Sequence, residues 1–181
     1  MNAVPAPWLL GLFLVASALL VAGWLWRSRR PSLDRILRRI AWERIEDVVI
    51  PDEIEGEIHL DLVLLTPRGI LVLETHHASG TLFWGEQLDQ WTILDGARRK
   101  TLRNPLPGLR ERRHAVHALV PRIPVDARVL FAGDVTISGD TPPGVLLQED
   151  LVTEFPARGR EPPAPALRAA WTTLSAAARP A

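Results

Sequence analysis

Residues 59–80 read HLDLVLLTPRGILVLETHHASG, and this stretch decides the fold. Two apolar runs rich in residues that favour strands, Ile58–Leu65 and Ile70–Leu73, enclose Thr66-Pro67-Arg68-Gly69. Proline in the second position and glycine in the last are typical of a tight turn. The pattern therefore predicts a β-hairpin.

The turn also sets the register of this hairpin. It places Val63 opposite Val72 and Asp61 opposite Glu74. Because side chains alternate along a strand, His76 then shares a face with Glu74. Two carboxylates that face each other repel unless a cation or a shared proton lies between them. The register therefore predicts half of a metal site, with Asp61, Glu74 and His76 pointing to the same side.

This block resembles the nuclease-related domain family, NERD, whose pattern runs Ile-Asp-His, an apolar strand, Gly, a second apolar strand and Glu-x-Lys. The matching residues here are Leu60-Asp61-Leu62, Gly69, Glu74-Thr75-His76 and Ser79-Gly80, then Asn104-Pro105-Leu106 and Pro143-Gly144-Val145. The resemblance extends from about Ser32 to Phe155. Two positions depart from the family pattern, because His76 stands where the family has lysine and Gly108 where it has glutamine.

The resemblance implies an α/β fold of the restriction-endonuclease-like kind, with a mixed sheet flanked by helices. It implies that Asp61 and Glu74 hold Mg²⁺, and the backbone carbonyl of Thr75 is a further candidate ligand because it lies between Glu74 and His76. His76 would act as a general base or as a metal ligand, which would favour softer ions such as Mn²⁺. Asp34 is a candidate for an acidic position near the start of the family's first helix; a solvated carboxylate is the alternative.

Two functions follow from this resemblance. The first is metal-dependent phosphodiester hydrolysis of DNA or RNA, with Asp61, Glu74 and His76 as catalytic residues. The second is a catalytically inactive domain that binds nucleic acid or a protein partner. The sequence leaves both open.

A cluster of cations, Arg98-Arg99-Lys100 with Arg103, is the candidate nucleic-acid-binding region. It precedes a helix that Asn104 is predicted to cap, with Pro105 in the first helical position. Contact with phosphates is one interpretation of the cluster and of the arginines in this helix. A solvated basic surface is the other.

The composition limits the chemistry. The chain has 181 residues, with 21 Lys and Arg against 21 Asp and Glu, and it contains no cysteine. Disulfides and thiolate metal sites are therefore excluded. A formal net charge of zero gives the chain as a whole no general attraction to nucleic acid.

The first thirty residues predict a membrane anchor. No charged residue precedes Arg27, and Trp8–Trp26 is an almost unbroken apolar run that Arg27-Ser28-Arg29-Arg30 follows. A bilayer needs roughly 20 apolar residues, and tryptophan suits both interfaces. The arginines place the remaining chain on the cytoplasmic side of the inner membrane, as a single-pass protein. A cleaved signal peptide, which would release the domain into the periplasm, is the competing interpretation.

The sequence thus divides into three parts. Residues 1–30 form the predicted anchor, residues 32–155 the NERD-like domain, and residues 156–181 a linker and tail rich in proline and alanine. Further predicted strands lie at 48–50, 81–84, 91–94 and 128–132, and predicted helices at 33–40, from 104 onward, and at 149–155. Residues 166–178 are predicted as a weakly determined helix or tail.

Overall fold

The computed structural model describes Ser17, residues 31–52 and residues 56–181. Residues Leu33–Ala181 form one compact unit. The predicted membrane anchor lies, apart from Ser17, outside the described residues. Within the part of the chain that the structure describes, no helix has the length and apolar character needed to cross a bilayer. The anchor therefore stays a prediction.

Helices and strands alternate irregularly along this unit. The helices are α1 (Leu33–Ile40), α2 (Leu106–Leu119), α3 (Asp150–Glu154) and α4 (Pro165–Ala177). The strands are β1 (Glu43–Pro51), β2 (Glu57–Thr66), β3 (Gly69–His77), β4 (Gly80–Phe83), β5 (Gln90–Asp95), β6 (Arg98–Arg103), β7 (Val125–Ala132), β8 (Val135–Ile137), β9 (Val145–Leu147) and β10 (Arg179–Pro180).

The strands form two sheets. The main sheet has six strands in the order β10-β1-β2-β3-β7-β9, and the second has four in the order β6-β5-β4-β8. In the main sheet β1, β2 and β3 are antiparallel neighbours, whereas β7 runs parallel to both β3 and β9. The prediction of an α/β fold with a mixed sheet and flanking helices is confirmed.

The central hairpin has the predicted register. Val63 pairs with Val72 and Thr66 pairs with Gly69. The turn is held by Thr66, whose buried hydroxyl donates to the carbonyl of Gly69 at 2.9 Å and accepts from the backbone N–H of Arg68 at 3.3 Å. Gly69 has a φ of 128°, and a Cβ there would lie 2.2 Å from the carbonyl oxygen of Pro124. Only glycine fits this position.

Apolar side chains cover both faces of the hairpin. On one face Val63, Leu65 and Val72 belong to a core with residues of α2 and α4, and on the other Leu62 and Leu73 belong to a core with residues of α1 and α3. A strand buried on both sides needs apolar residues at successive positions rather than at alternate ones. This explains the unbroken apolar runs that identify the hairpin in the sequence.

The structure differs from the predictions in some elements. Strand β1 begins at Glu43 rather than Val48, because its charged first half still pairs with β2. The basic cluster forms strand β6, and the short strands β8 and β9 lie where no strand was predicted. Short and polar strands carry little periodic signal, and pairing with neighbours decides them.

Residues 156–181, predicted as a linker followed by a weakly determined helix or tail, contain a helix and a short strand that pack on the domain. Their helix α4 buries Leu167, Trp171 and Leu174 against the main core, and Nε1 of Trp171 donates to Oε2 of Glu43 at 2.7 Å. Strand β10 then pairs with β1, with Pro180 opposite Val48. The contacts join residues more than a hundred positions apart, which is why the alanine-rich sequence gave only a weak signal.

Trp171→Ala should lower the free energy of unfolding by about 3–5 kcal/mol, because it removes a large side chain that is 4% exposed. Urea denaturation of the full chain measures this loss. Thr172→Ala, an exposed neighbour on α4, is the matched control and should change stability by less than about 0.5 kcal/mol. Equal stability of wild type and Trp171→Ala would show that α4 does not contribute to the core.

Candidate functional site

Asp61 lies where the pairing between β2 and β3 ends. The ladder stops at the pair Leu62–Leu73, although both strands continue beyond it. Oδ2 of Asp61 accepts a hydrogen bond from the backbone N–H of Thr75 at 3.1 Å, and Oδ1 lies 3.2 Å from Nδ1 of His59. The carboxylate therefore bridges the two strands where their backbones no longer pair.

Glu74 is largely buried, with 13% of its side chain exposed. Its Oε2 accepts a hydrogen bond from Nη1 of Arg112 at 2.7 Å, and its Oε1 lies 3.0 Å from Nε2 of His76. The His76 ring stacks on Phe131, with ring centroids 5.4 Å apart. Both oxygens of Glu74 thus have a partner, which offsets the cost of removing a carboxylate from water.

Arg112 connects the two predicted carboxylates through His59. Its Nε donates to the backbone carbonyl of His59 at 2.9 Å while Nη1 contacts Glu74. Since His59 also contacts Asp61, one network runs from Asp61 through His59 and Arg112 to Glu74 and His76. The structure therefore brings the predicted residues together through this network rather than through a direct contact between Asp61 and Glu74.

Sequence reasoning missed His59 and Arg112. His59 stands two residues before Asp61, so the alternation of a strand could have placed both on one face. Arg112 offered no such signal, because it reaches the site from α2, far along the chain. The guanidinium of Arg112 lies beside Glu74. In the family pattern, a lysine on β3 would be expected to supply the cation at this place.

Gly108 provides the space for this guanidinium. A Cβ at Gly108 would lie 2.9 Å from Nη1 of Arg112. Cβ atoms in proteins essentially never come this close to another heavy atom, so a side chain at this position would require the end of Arg112 to shift. The two residues are four apart on α2 and therefore lie on the same face of the helix. Both departures from the family pattern, His76 and Gly108, thus adjoin the same ion pair between Arg112 and Glu74.

The oxygen donors of Asp61, Glu74 and the Thr75 carbonyl are of the kind that Mg²⁺ or Mn²⁺ prefers. In this arrangement they do not fit a divalent ion, because the guanidinium of Arg112 already occupies Oε2 of Glu74 and would repel a second cation there. Among residues 31–52 and 56–181, no three His, Asp or Glu side chains form a group that could hold a metal ion. A metal ion at Glu74 would require Arg112 to move away.

A cleft of about 470 Å³, here called the acidic cleft, opens between α1 and the end of the hairpin. Its polar lining consists of Asp34, Arg44, Glu46, Asp61, Thr75 and His77. Asp34 accepts hydrogen bonds from Nε of Arg38 at 2.9 Å and from Nη1 of Arg44 at 2.8 Å. The hydrogen bond from Arg38, and then that from Arg44, lower the pKa of Asp34 below its ordinary value. Asp34 therefore lies in the same cleft as Asp61 as an ionised, paired carboxylate.

A second cleft of about 540 Å³, here called the basic cleft, holds part of the predicted nucleic-acid-binding cluster. Its polar lining consists of His77, Ser79, Asp95, Arg98, Arg99 and Lys100. Asp95 accepts a hydrogen bond from the hydroxyl of Ser79 at 2.6 Å. Arg103 lies at the other end of β6, opposite Gln90.

The four cations of β6 are exposed, and they make no ion pair with any described residue. Arginines elsewhere in the unit, such as Arg112, Arg128 and Arg168, pair with carboxylates. Other exposed arginines, such as Arg35, Arg39 and Arg122, also make no ion pair with a described residue, so β6 is distinguished by carrying four unpaired cations on one strand.

His77 borders both clefts. It follows His76 on β3, so its side chain points to the opposite face of the strand. The basic cleft and the acidic cleft thus adjoin at His77. From the sequence, His77 is predicted to be structural or exposed, because a histidine at the end of a strand has no pattern that indicates a functional role.

A family model described as the nuclease-related domain matches residues 29–132 of the chain. The matched range contains α1 to β7 and so includes Asp61, Glu74, His76, Gly108, Arg112 and the cations of β6. No curated protein and no solved structure matches the chain significantly.

Arg112→Ala should lower the free energy of unfolding by about 1–3 kcal/mol at neutral pH, because it leaves the buried carboxylate of Glu74 without its cation. Adding Glu74→Gln should recover part of this loss, since the uncompensated charge is then gone. Urea denaturation of both variants measures the two effects.

Arg110→Ala is the control, because Arg110 lies on the same helix with its side chain exposed and only a long contact of 3.8 Å to Glu86. It should change stability by less than about 0.5 kcal/mol. If Arg110→Ala and Arg112→Ala behave alike, the ion pair with Glu74 does not stabilise the domain.

Proposed function

Because this chain belongs to the nuclease-related domain family, we propose that its domain binds nucleic acid, with the phosphates held in the basic cleft. The observation that carries this proposal is the unpaired charge of Arg98 and Lys100, which line that cleft and lie on the same side of β6. Cations without an internal partner are available to phosphates, and each contact releases counterions from the nucleic acid. Local charge thus supplies the attraction that the net charge of zero does not.

The position of His77 sets where the path of the ligand would end. A strand of nucleic acid lying in the basic cleft would pass along it as far as His77, where the acidic cleft begins. The cations would hold the backbone, whereas Asp34, Glu46 and Asp61 would repel a phosphate in the acidic cleft. This path agrees with the second function expected from the sequence, a domain that binds nucleic acid without cleaving it.

The order of elements supports the finer description of the fold. Without the second sheet, the chain runs α1-β1-β2-β3-α2-β7 around one mixed sheet. We assign this unit to the restriction-endonuclease-like arrangement that the family resemblance implies. The assignment places Asp61 and Glu74 on the two central strands.

Metal-dependent phosphodiester hydrolysis is the second candidate function. The oxygen donors around Glu74 favour it, whereas the guanidinium of Arg112 opposes it. The opposing group is the end of a flexible side chain, which a side chain at position 108 would force to shift. Hydrolysis therefore requires a state in which Arg112 has left Glu74.

We also propose that the apolar run Trp8–Trp26 anchors the protein in the inner membrane with the domain in the cytoplasm. The support is the sequence, namely the length of the run and the arginines that follow it. Recovery of the full chain in the membrane fraction, and its release on deletion of residues 2–30, would test this. A shorter mature chain by mass spectrometry would instead indicate a cleaved signal peptide.

The binding proposal predicts a salt-dependent affinity that the basic cleft controls. The double variant Arg98→Ala/Lys100→Ala should weaken binding to labelled DNA and RNA and reduce the log–log salt slope by about 2, one unit for each lost phosphate contact. Fluorescence anisotropy of the full chain at several salt concentrations measures both quantities.

The matched control is Arg35→Ala/Arg39→Ala, which removes the same charge from exposed positions on α1. It should leave affinity and slope close to those of the wild type. If both double variants weaken binding equally, the cluster on β6 is not a specific site. If the wild type binds no nucleic acid, the proposal is wrong and a protein partner becomes the ligand to seek.

Restoring the family residues tests the second candidate. The double variant His76→Lys/Gly108→Gln should displace Arg112 and return a lysine beside Glu74, so that cleavage with Mg²⁺ or Mn²⁺ appears at a rate at least about 10²-fold above the background of the assay. Gel assays on labelled single- and double-stranded DNA and RNA, with a chelator as blank, measure the gain. Adding Glu74→Ala should abolish it.

The wild type itself should bind without turnover in the same assay. Metal-dependent cleavage by the wild type that Glu74→Ala abolishes would show that hydrolysis is its activity and that Arg112 does not prevent it. If His76→Lys/Gly108→Gln shows no metal-dependent cleavage, then neither His76, Gly108 nor the position of Arg112 explains the lack of hydrolysis.

A further inference from the structure

The second sheet has one side that faces away from the core, here called the outer face. The register places Phe83 opposite Thr92 and Thr92 opposite Thr101, and in the next row Leu94 opposite Arg99. Directly paired residues lie on the same side of a sheet. The side chains of the outer face that matter here are Phe83, Thr92, Leu94, Arg99, Thr101 and Arg103.

The opposite side of this sheet is closed. Leu82, Trp91 and Ile93 alternate with the residues of the outer face and are buried in the main core. On the outer face Phe83 is 43% exposed and Leu94 is 39% exposed. The sheet therefore has one side that builds the core and one side that offers an aromatic ring and an aliphatic side chain to solvent.

The outer face is also positively charged. Arg99 and Arg103 make no ion pair with a described residue, and no outward position of the four strands, all of which are described, carries a carboxylate. The remaining outward positions are mostly threonine. Adjacent strands lie about 4.8 Å apart, so β4 and β6 are separated by about 10 Å. Thr101 shares the row of Phe83, and Arg99 and Arg103 lie one outward position to either side of Thr101.

We propose that the outer face binds single-stranded nucleic acid, with a base stacked on Phe83 and the phosphates on either side held by Arg99 and Arg103. The inference rests on the proposed function and names the form of nucleic acid that this domain takes. An aromatic ring and unpaired cations on the same face of a sheet suit a ligand that carries both flat apolar bases and a charged backbone. A duplex keeps its bases stacked inside and presents no such face to Phe83.

The composition of the face argues against the other ligands that exposed apolar groups attract. Phe83 and Leu94 are the two apolar residues at the outward positions of these strands, and membrane binding grows with the apolar area that is buried. Most other outward positions carry threonine or arginine. A hydroxyl-bearing, cationic surface with one accessible ring matches single-stranded nucleic acid better than lipid.

The experiment measures the affinity of the full chain for a labelled single-stranded oligothymidylate and for a hairpin duplex of the same length. Phe83→Ala should weaken single-strand binding by about 5- to 150-fold, the loss of one stacked base, and should leave duplex binding unchanged. Phe83→Trp should keep single-strand affinity at or above that of the wild type, because an indole ring stacks on a base at least as well as a phenyl ring. Leu88→Ala is the matched control, since Leu88 is an exposed apolar residue outside these strands.

The outcomes separate this inference from the proposed function. Equal single-strand affinity of Phe83→Ala and wild type would overturn the inference while nucleic-acid binding in the basic cleft stands. Loss with Phe83→Ala but none with Arg98→Ala/Lys100→Ala would support the outer face and overturn the basic cleft. Weaker binding of Phe83→Ala to phosphatidylglycerol vesicles, with single-strand affinity unchanged, would assign the face to a membrane instead. Circular dichroism and thermal unfolding of Phe83→Ala confirm that the fold is intact.

Discussion

The close contact between Gly69 and Pro124 is the constraint on which this domain depends. A Cβ at position 69 would lie 2.2 Å from the carbonyl oxygen of Pro124, so the first residue of β3 can approach the start of β7 only as glycine. The same glycine ends the turn that pairs Val63 with Val72. One residue thus sets the hairpin register and the distance to the parallel strand. The positions of Asp61 and Glu74 follow from that register.

Within this frame, the ion pair between Arg112 and Glu74 decides the character of the site. A carboxylate that is 13% exposed needs a cation or hydrogen-bond donors to stay charged. Here the cation comes from α2, and its guanidinium donates to Oε2 of Glu74. A Cβ at Gly108 would lie 2.9 Å from the end of Arg112, so the glycine leaves room for this contact. His76 and Gly108, which both depart from the family pattern, therefore adjoin the same ion pair.

Charge is distributed unevenly even though its sum is zero. Ion pairs neutralise arginines on several elements, such as Arg128 with Glu154 and Arg179 with Glu57. The cations of β6 are left without partners and divide between two surfaces by the alternation of the strand. Because electrostatic attraction falls off over about one Debye length, such a local excess acts on a ligand that the net charge would not attract.

The sequence by itself determined the central hairpin, its register, the mixed α/β class and the membership in the nuclease-related domain family. These follow from local signals, namely turn residues, apolar runs and short motifs, which need no knowledge of distant contacts. The tertiary structure decided the rest of the site. Arg112 at Glu74, His77 between two clefts and α4 on the core depend on contacts between distant segments, for which sequence spacing carries no signal. The outer face could not be predicted from the sequence for the same reason, because Phe83 and Arg99 lie on one surface only when β4, β5 and β6 pair.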